Sequence, residues 1–107
     1  MIRPDVMQQF VDAFAEAGFS PKAFLPSYGL AEATLAVTIM PPGEGIMVEL
    51  VEETELSGGH AVEDRPQRFR AIVNCGKPVM GMTVEIRDEF GGLLPERTIG
   101  KVWTTGP

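Results

Sequence analysis

Pro26-Ser27-Tyr28-Gly29-Leu30-Ala31-Glu32-Ala33-Thr34-Leu35 is the stretch on which the reading of this chain turns. It follows a short apolar run, Ala23-Phe24-Leu25-Pro26, that reads as a strand entering a loop. In open α/β sheets ligands gather at the carboxyl ends of strands, so the decapeptide stands where a binding loop would stand. Gly29 lets the backbone turn sharply or come close to a ligand. Tyr28 offers a flat face for stacking, and Glu32 offers a hard oxygen ligand suited to magnesium. Spacing alone favours a plainer reading, a strand-to-helix turn with Tyr28 in the core and Glu32 as a cap.

Upstream, residues 2–17 carry the clearest helical period. Ile2, Val6, Phe10, Phe14 and Ala17 recur every three or four residues, with Asp5, Gln8, Gln9, Asp12 and Glu16 on other faces. Pro4 suits the first turn, Asp5 complements the positive end of the helix, and Gly18 is a natural stop. Downstream, residues 33–40 are almost wholly apolar, so periodicity cannot separate helix from strand there. The signal then turns to β. Residues 47–52 and 69–73 read as strands, and Val84 and Ile86 alternate with Thr83, Glu85 and Arg87 at a period of two. Gly91-Gly92 marks a turn, residues 99–104 form a last strand carrying Trp103, and the polar tract 57–67 reads as a loop.

The expected fold class is therefore α+β. A helix and one strand from a larger α/β layer open the chain, and a small β-rich subdomain closes it. One helix and one strand cannot cover both faces of such a layer, which is a physical reason to read the chain as a piece of something larger. Its 107 residues suffice for one small domain. A composition of 44% hydrophobic and 22% charged residues excludes wholesale disorder. The net charge of -6 argues against nucleic-acid binding, because the one basic cluster, Arg65, Arg68 and Arg70, sits beside Glu63 and Asp64. The single cysteine, Cys75, excludes an internal disulfide and a cysteine-based zinc site. No apolar run is long enough to span a membrane and the N-terminus is unlike a secretory signal, so a reducing, cytoplasmic setting is expected.

Three blocks then carry a family resemblance. Tyr28-Gly29-Leu30-Ala31-Glu32 resembles the aromatic-Gly-x-Thr-Glu core motif of the adenylate-forming superfamily, which includes acyl-CoA synthetases and luciferase-like enzymes. The longer string from Pro26 to Leu35 is similar to the version found in fatty acyl-AMP ligases. Residues 74–88, from Asn74-Cys75-Gly76-Lys77-Pro78 to Ile86-Arg87-Asp88, resemble the family's Gly-x-Pro-x-x-Gly-x-x-x-x-Ile-x-Asp segment. Residues 94–107, from Leu94-Pro95 to Gly106-Pro107, resemble its Pro-x-x-x-x-Gly-Glu-Ile-x-x-x-Gly-Pro block. The chain departs from the pattern at Ala31, where most members carry Thr, and at Lys101, where an acidic residue is usual.

The resemblance implies roles and a parent. Residues 1–41 would end the large N-terminal α/β subdomain and carry the adenine-binding motif. Residues 42–71 would hold the insertion that fatty acyl-AMP ligases place here and use against coenzyme A, and residues 72–107 would begin the β-rich subdomain. Tyr28 would stack on adenine. Gly29, Leu30 and Ala31 would line the nucleotide and acyl-carbonyl region, and Glu32 would help hold Mg2+ on the triphosphate of ATP. The substrates would be a fatty acid and ATP, and the acyl group would pass to a carrier protein. The family's Pro-Lys-Gly phosphate loop, its Tyr-x-Thr-Gly-Asp ribose motif and its lysine-bearing C-terminal domain are not found in the sequence. The isolated chain is accordingly expected to be an inactive fragment. Two alternatives stay open: a fragment of a synthetase that uses coenzyme A, and a stand-alone interaction module. His60, in a polar loop without a partner, and Cys75, beside a strand, are read as a surface residue and a structural thiol.

Overall fold

The computed structural model describes residues 1–53 and 68–107. The expected loop at 57–67, with His60, Glu63, Asp64 and Arg65, lies outside the described residues. Helix α1 (Pro4–Phe14) starts with proline in its first turn and continues into a 3-10 turn (Ala15–Ala17). Gly18 ends it as expected: its φ of 88° is left-handed, and its N–H donates to the Ala15 carbonyl. The strands are β1 (Ser27–Leu30), β2 (Leu35–Ile39), β3 (Val48–Glu52), β4 (Phe69–Val73), β5 (Lys77–Pro78), β6 (Thr83–Arg87) and β7 (Lys101–Thr105). Among the described residues, one α-helix longer than a turn and small antiparallel sheets bear out the α+β class.

Two compact units divide these elements, and they interleave along the chain. The first comprises Met1–Pro26 and Met40–Asn74. In it, α1 lies against β4, and β3 and β4 pair antiparallel from Val48↔Val73 to Glu52↔Phe69. Val11, Met40 and Val73 are buried apolar side chains of this unit. Phe10, Phe14, Phe19 and Phe24 form an aromatic cluster with ring centroids 4.6 to 5.9 Å apart. Each such pair contributes about 1 kcal/mol beyond the area it buries. Phe10 and Phe14 still keep 42% and 47% of their surface exposed.

The strand expected at 23–26 is not formed. Ser20 instead caps a 3-10 turn (Pro21–Ala23) by accepting from the Lys22 N–H at 3.3 Å. Pairing begins only after Pro26, which has no N–H to give to a ladder, so the motif itself is the strand.

The second unit comprises Ser27–Ile39 and Cys75–Pro107. Strand β2 lies between β1 and β5, and β6 pairs with β7 from Thr83↔Thr105 to Arg87↔Lys101. The apolar run at 33–40, undecided by periodicity, is thus mostly strand. Val37, in the central strand of this sheet, is 0% exposed. Cys75 is half-buried and forms no disulfide.

Candidate functional site

The motif builds a β-hairpin. Ser27 to Leu30 runs up β1, Ala31–Ala33 makes a 3-10 turn, Thr34 closes the tip, and β2 returns from Leu35. The register pairs Ser27 with Ile39, Tyr28 with Thr38, Gly29 with Ala36 and Leu30 with Leu35. Two β1 residues, Tyr28 and Gly29, therefore span three on β2, and Val37 is the extra one. A bulge of this kind sharpens the local twist and re-aims neighbouring side chains.

Gly29 is required by space and not by its dihedral angle. A Cβ placed there would lie 1.9 Å from the Leu35 carbonyl oxygen and 3.0 Å from its carbon. Both atoms belong to backbone, which cannot rotate away as the end of a side chain can. The close approach at Gly29 is thus to the hairpin's own second strand. Thr34 and Leu35 both have left-handed backbone, with φ of 56° and 90°. For residues with a Cβ this costs about 1 kcal/mol or more each. No sequence signal marked these two positions, since neither is Gly, Asn or Asp.

The expected site residues are brought together on this one element. Tyr28 is 36% exposed, so its ring is neither in the core nor free of neighbours. Leu30 is half-buried, while Ala31 and Glu32 are exposed at the tip. Strand alternation puts Tyr28, Leu30 and Tyr28's partner Thr38 on one face, and Ser27 and Gly29 on the other. Among the described residues no group of three or more His, Cys, Asp and Glu is placed to hold a metal ion. Glu32 can supply one carboxylate. Magnesium is commonly held by one or two carboxylates together with water and substrate phosphates, so the donor set suits a metal that arrives with a nucleotide.

A second cluster was not legible in advance. Arg87 on β6 stands over the Trp103 ring of β7, 5.1 Å from its centroid. The same guanidinium binds Glu85 at 2.6 Å and donates to the Gly91 carbonyl at 2.7 Å. Asp88 accepts from the N–H groups of Phe90 and Gly92 at 2.8 and 2.7 Å. Its carboxylate is consumed in shaping the turn at 88–92, as its place before Gly91-Gly92 suggests. This cluster fixes the β6–β7 hairpin.

No family model matches the chain. It is 41% identical to a putative acyl-CoA synthetase of Caulobacter vibrioides over 110 residues, which is 100% of this chain and 19% of that protein. It is 32% identical to the medium-chain-fatty-acid–[acyl-carrier-protein] ligase JamA of Moorena producens, over 99% of this chain and 19% of that one. A solved structure from a study of fatty acyl-adenylate ligases from E. coli and L. pneumophila superposes with a TM-score of 0.86 at 34% identity. That match covers 99% of this chain and 20% of the solved one. The chain therefore spans about a fifth of the length of the relatives it matches. Among the described residues no helix is long and apolar enough to cross a membrane.

Proposed function

Because the chain belongs to the fatty acyl-AMP ligase family and matches about a fifth of its members' length, we propose that it carries the nucleotide-facing hairpin of such a ligase. The observation that carries this reading is the hairpin itself, which holds Tyr28, Leu30 and Glu32 together within a segment that superposes on a fatty acyl-adenylate ligase over nearly its whole length. Residues 1–41 are assigned to the end of the large subdomain, residues 42–71 to an insertion and residues 72–107 to the β-rich subdomain.

In the proposed reaction a fatty acid carboxylate oxygen attacks the α-phosphorus of ATP. The bond from that phosphorus to the bridging oxygen breaks, and pyrophosphate leaves with the electron pair. Tyr28 holds the adenine by stacking, and the Leu30–Ala31 backbone borders the reacting carbonyl. Glu32 would hold a magnesium ion arriving with the nucleotide, which would supply positive charge to offset the negative charge gathering on the phosphate oxygens. Ala31 has no hydroxyl, so that position makes no side-chain hydrogen bond to phosphate. The acyl group then passes to the thiol of a carrier protein, as the name of the Moorena relative suggests. The Caulobacter relative's name favours a second reading, in which coenzyme A is the acceptor. We place the activity in the cytoplasm, a reducing setting that suits a sequence with a single cysteine. The chain alone supplies one stacking face and one carboxylate, which leaves most of the triphosphate charge unmatched, so we assign it no catalysis by itself.

The test is pyrophosphate release by the full-length ligase with Mg2+, ATP and fatty acids of medium and long chain. Glu32→Gln is expected to lower turnover about 100-fold with an unchanged circular dichroism spectrum. Unchanged turnover would remove Glu32 from the mechanism, and a wild type that releases no pyrophosphate from any of these acids would end the ligase reading. Offering carrier protein and coenzyme A side by side identifies the acceptor by its thioester product.

A further inference from the structure

Strand β2 carries Thr38 at the middle of the three-stranded sheet, with a direct partner on each side. Tyr28 of β1 stands opposite it in one ladder and Pro78 of β5 in the other. One hydrogen bond fixes how the two ladders alternate. The Val79 N–H donates to the Val37 carbonyl at 3.0 Å, so the backbone groups of Val37 face β5 and those of Thr38, one residue on, face Tyr28. Thr38↔Pro78 is then a non-hydrogen-bonded pair, the closer kind, with Cα atoms about 4.5 Å apart. Proline is accommodated at 78 because an N–H there would point away from β2.

Direct partners share a face, so Tyr28, Thr38 and Pro78 stand abreast in one row across the sheet. That row is not the core. The adjacent Val37 points to the other face and is wholly buried, while Thr38 is half-buried and Pro78 exposed. A strand leaves a tyrosine ring two common χ1 positions, and the side chain beside it decides between them. Thr38 is a stiff neighbour because its β-branch restricts χ1, and the rigid Pro78 ring stands on its far side. The proposed function needs the Tyr28 ring held in one plane. We propose that Thr38 is a positioning residue: its branched side chain, backed by Pro78, sets the Tyr28 ring for stacking on adenine. This rests on the ligase reading above.

The experiment uses the full-length ligase, wild type, Thr38→Ala and Thr38→Val, with ATP and dodecanoate varied separately and melting temperature measured on each protein. Thr38→Ala removes the branch and is expected to raise the KM for ATP about fivefold, with kcat and the KM for dodecanoate unchanged within twofold. Thr38→Val keeps the shape without the hydroxyl and is expected to restore the KM for ATP to within twofold of wild type. In a Tyr28→Ala background the Thr38→Ala change is expected to add less than twofold, because the ring it would release is gone. An unchanged KM for ATP in Thr38→Ala would overturn the role, as would a full fivefold effect in the Tyr28→Ala background. A Thr38→Val protein as weak for ATP as Thr38→Ala would also overturn it, and give the hydroxyl a direct contact with the nucleotide. A lower melting temperature with kcat and both KM values moved together would make Thr38 structural only. A wild type that releases no pyrophosphate would instead overturn the ligase reading, and this role with it.

Discussion

Replacing Gly29 with alanine tests the hairpin most directly. The added Cβ would meet the Leu35 carbonyl oxygen at 1.9 Å, whereas ordinary van der Waals contact begins near 3.4 Å. The strands must therefore separate locally by about 1.5 Å, on a normal spacing of about 4.8 Å. That displacement stretches a ladder hydrogen bond of about 2.9 Å to beyond 4 Å, which is no longer a bond. The Gly29↔Ala36 and Leu30↔Leu35 pairs both sit at this point. Losing one or two ladder bonds at about 1 kcal/mol each, with some loosening around the wholly buried Val37, gives about 2–3 kcal/mol. Hydrogen exchange followed by mass spectrometry on the full-length protein reads this locally, in peptides covering residues 27–39. Exchange there should quicken by about 30- to 150-fold, since about 1.4 kcal/mol corresponds to a factor of ten. Rates within twofold of wild type would refute the argument, because they would mean that the two backbones can part at no cost.

Other perturbations separate other terms. Gly18→Ala adds a Cβ that meets nothing within 4 Å, so only the left-handed dihedral angle is strained. The expected loss is about 1 kcal/mol in the last turn of α1, read as roughly fivefold faster exchange there, and a loss as large as that at Gly29 would mean the steric argument is wrong. Asp5 accepts a hydrogen bond from Arg3 at 2.6 Å, which holds its carboxyl below the usual value. A depressed folded pKa means a contribution present above the ordinary carboxylate range and lost as pH falls through the depressed value. Arg3→Ala should move the Asp5 titration midpoint upward in a carbon-13 NMR titration, with little change in stability because the pair is solvent-exposed; an unmoved midpoint would assign the shift to another cause.

Much of this architecture was legible because the relevant physics is local. Pro4 and Gly18 bound a helix through their own backbone preferences, and the alternation at Thr83–Arg87 declares a strand with two unlike faces. The order of the motifs likewise identified the family before any geometry was known. Where pairing decides, the sequence fell short. The Ala23–Pro26 run is apolar enough for a strand, but Ser20 and Pro21 turn it into a 3-10 loop, and the ladder starts only where β2 offers a partner. The run at 33–40 has only Thr34 and Thr38 as polar residues, too few to separate helix from strand, so only its place between β1 and β5 makes it a covered strand.

The candidate site divides in the same way. Its residue types could be named from Tyr28-Gly29-Leu30-Ala31-Glu32 alone, since stacking and metal ligation depend on side-chain chemistry. That Gly29 answers to the Leu35 carbonyl and that Arg87 reaches Trp103 are facts about residues that meet only when two strands pair. Local sequence determined which chemistry the chain offers. Tertiary structure decided which backbone atoms may touch, because steric exclusion acts between strands and leaves no mark within either one.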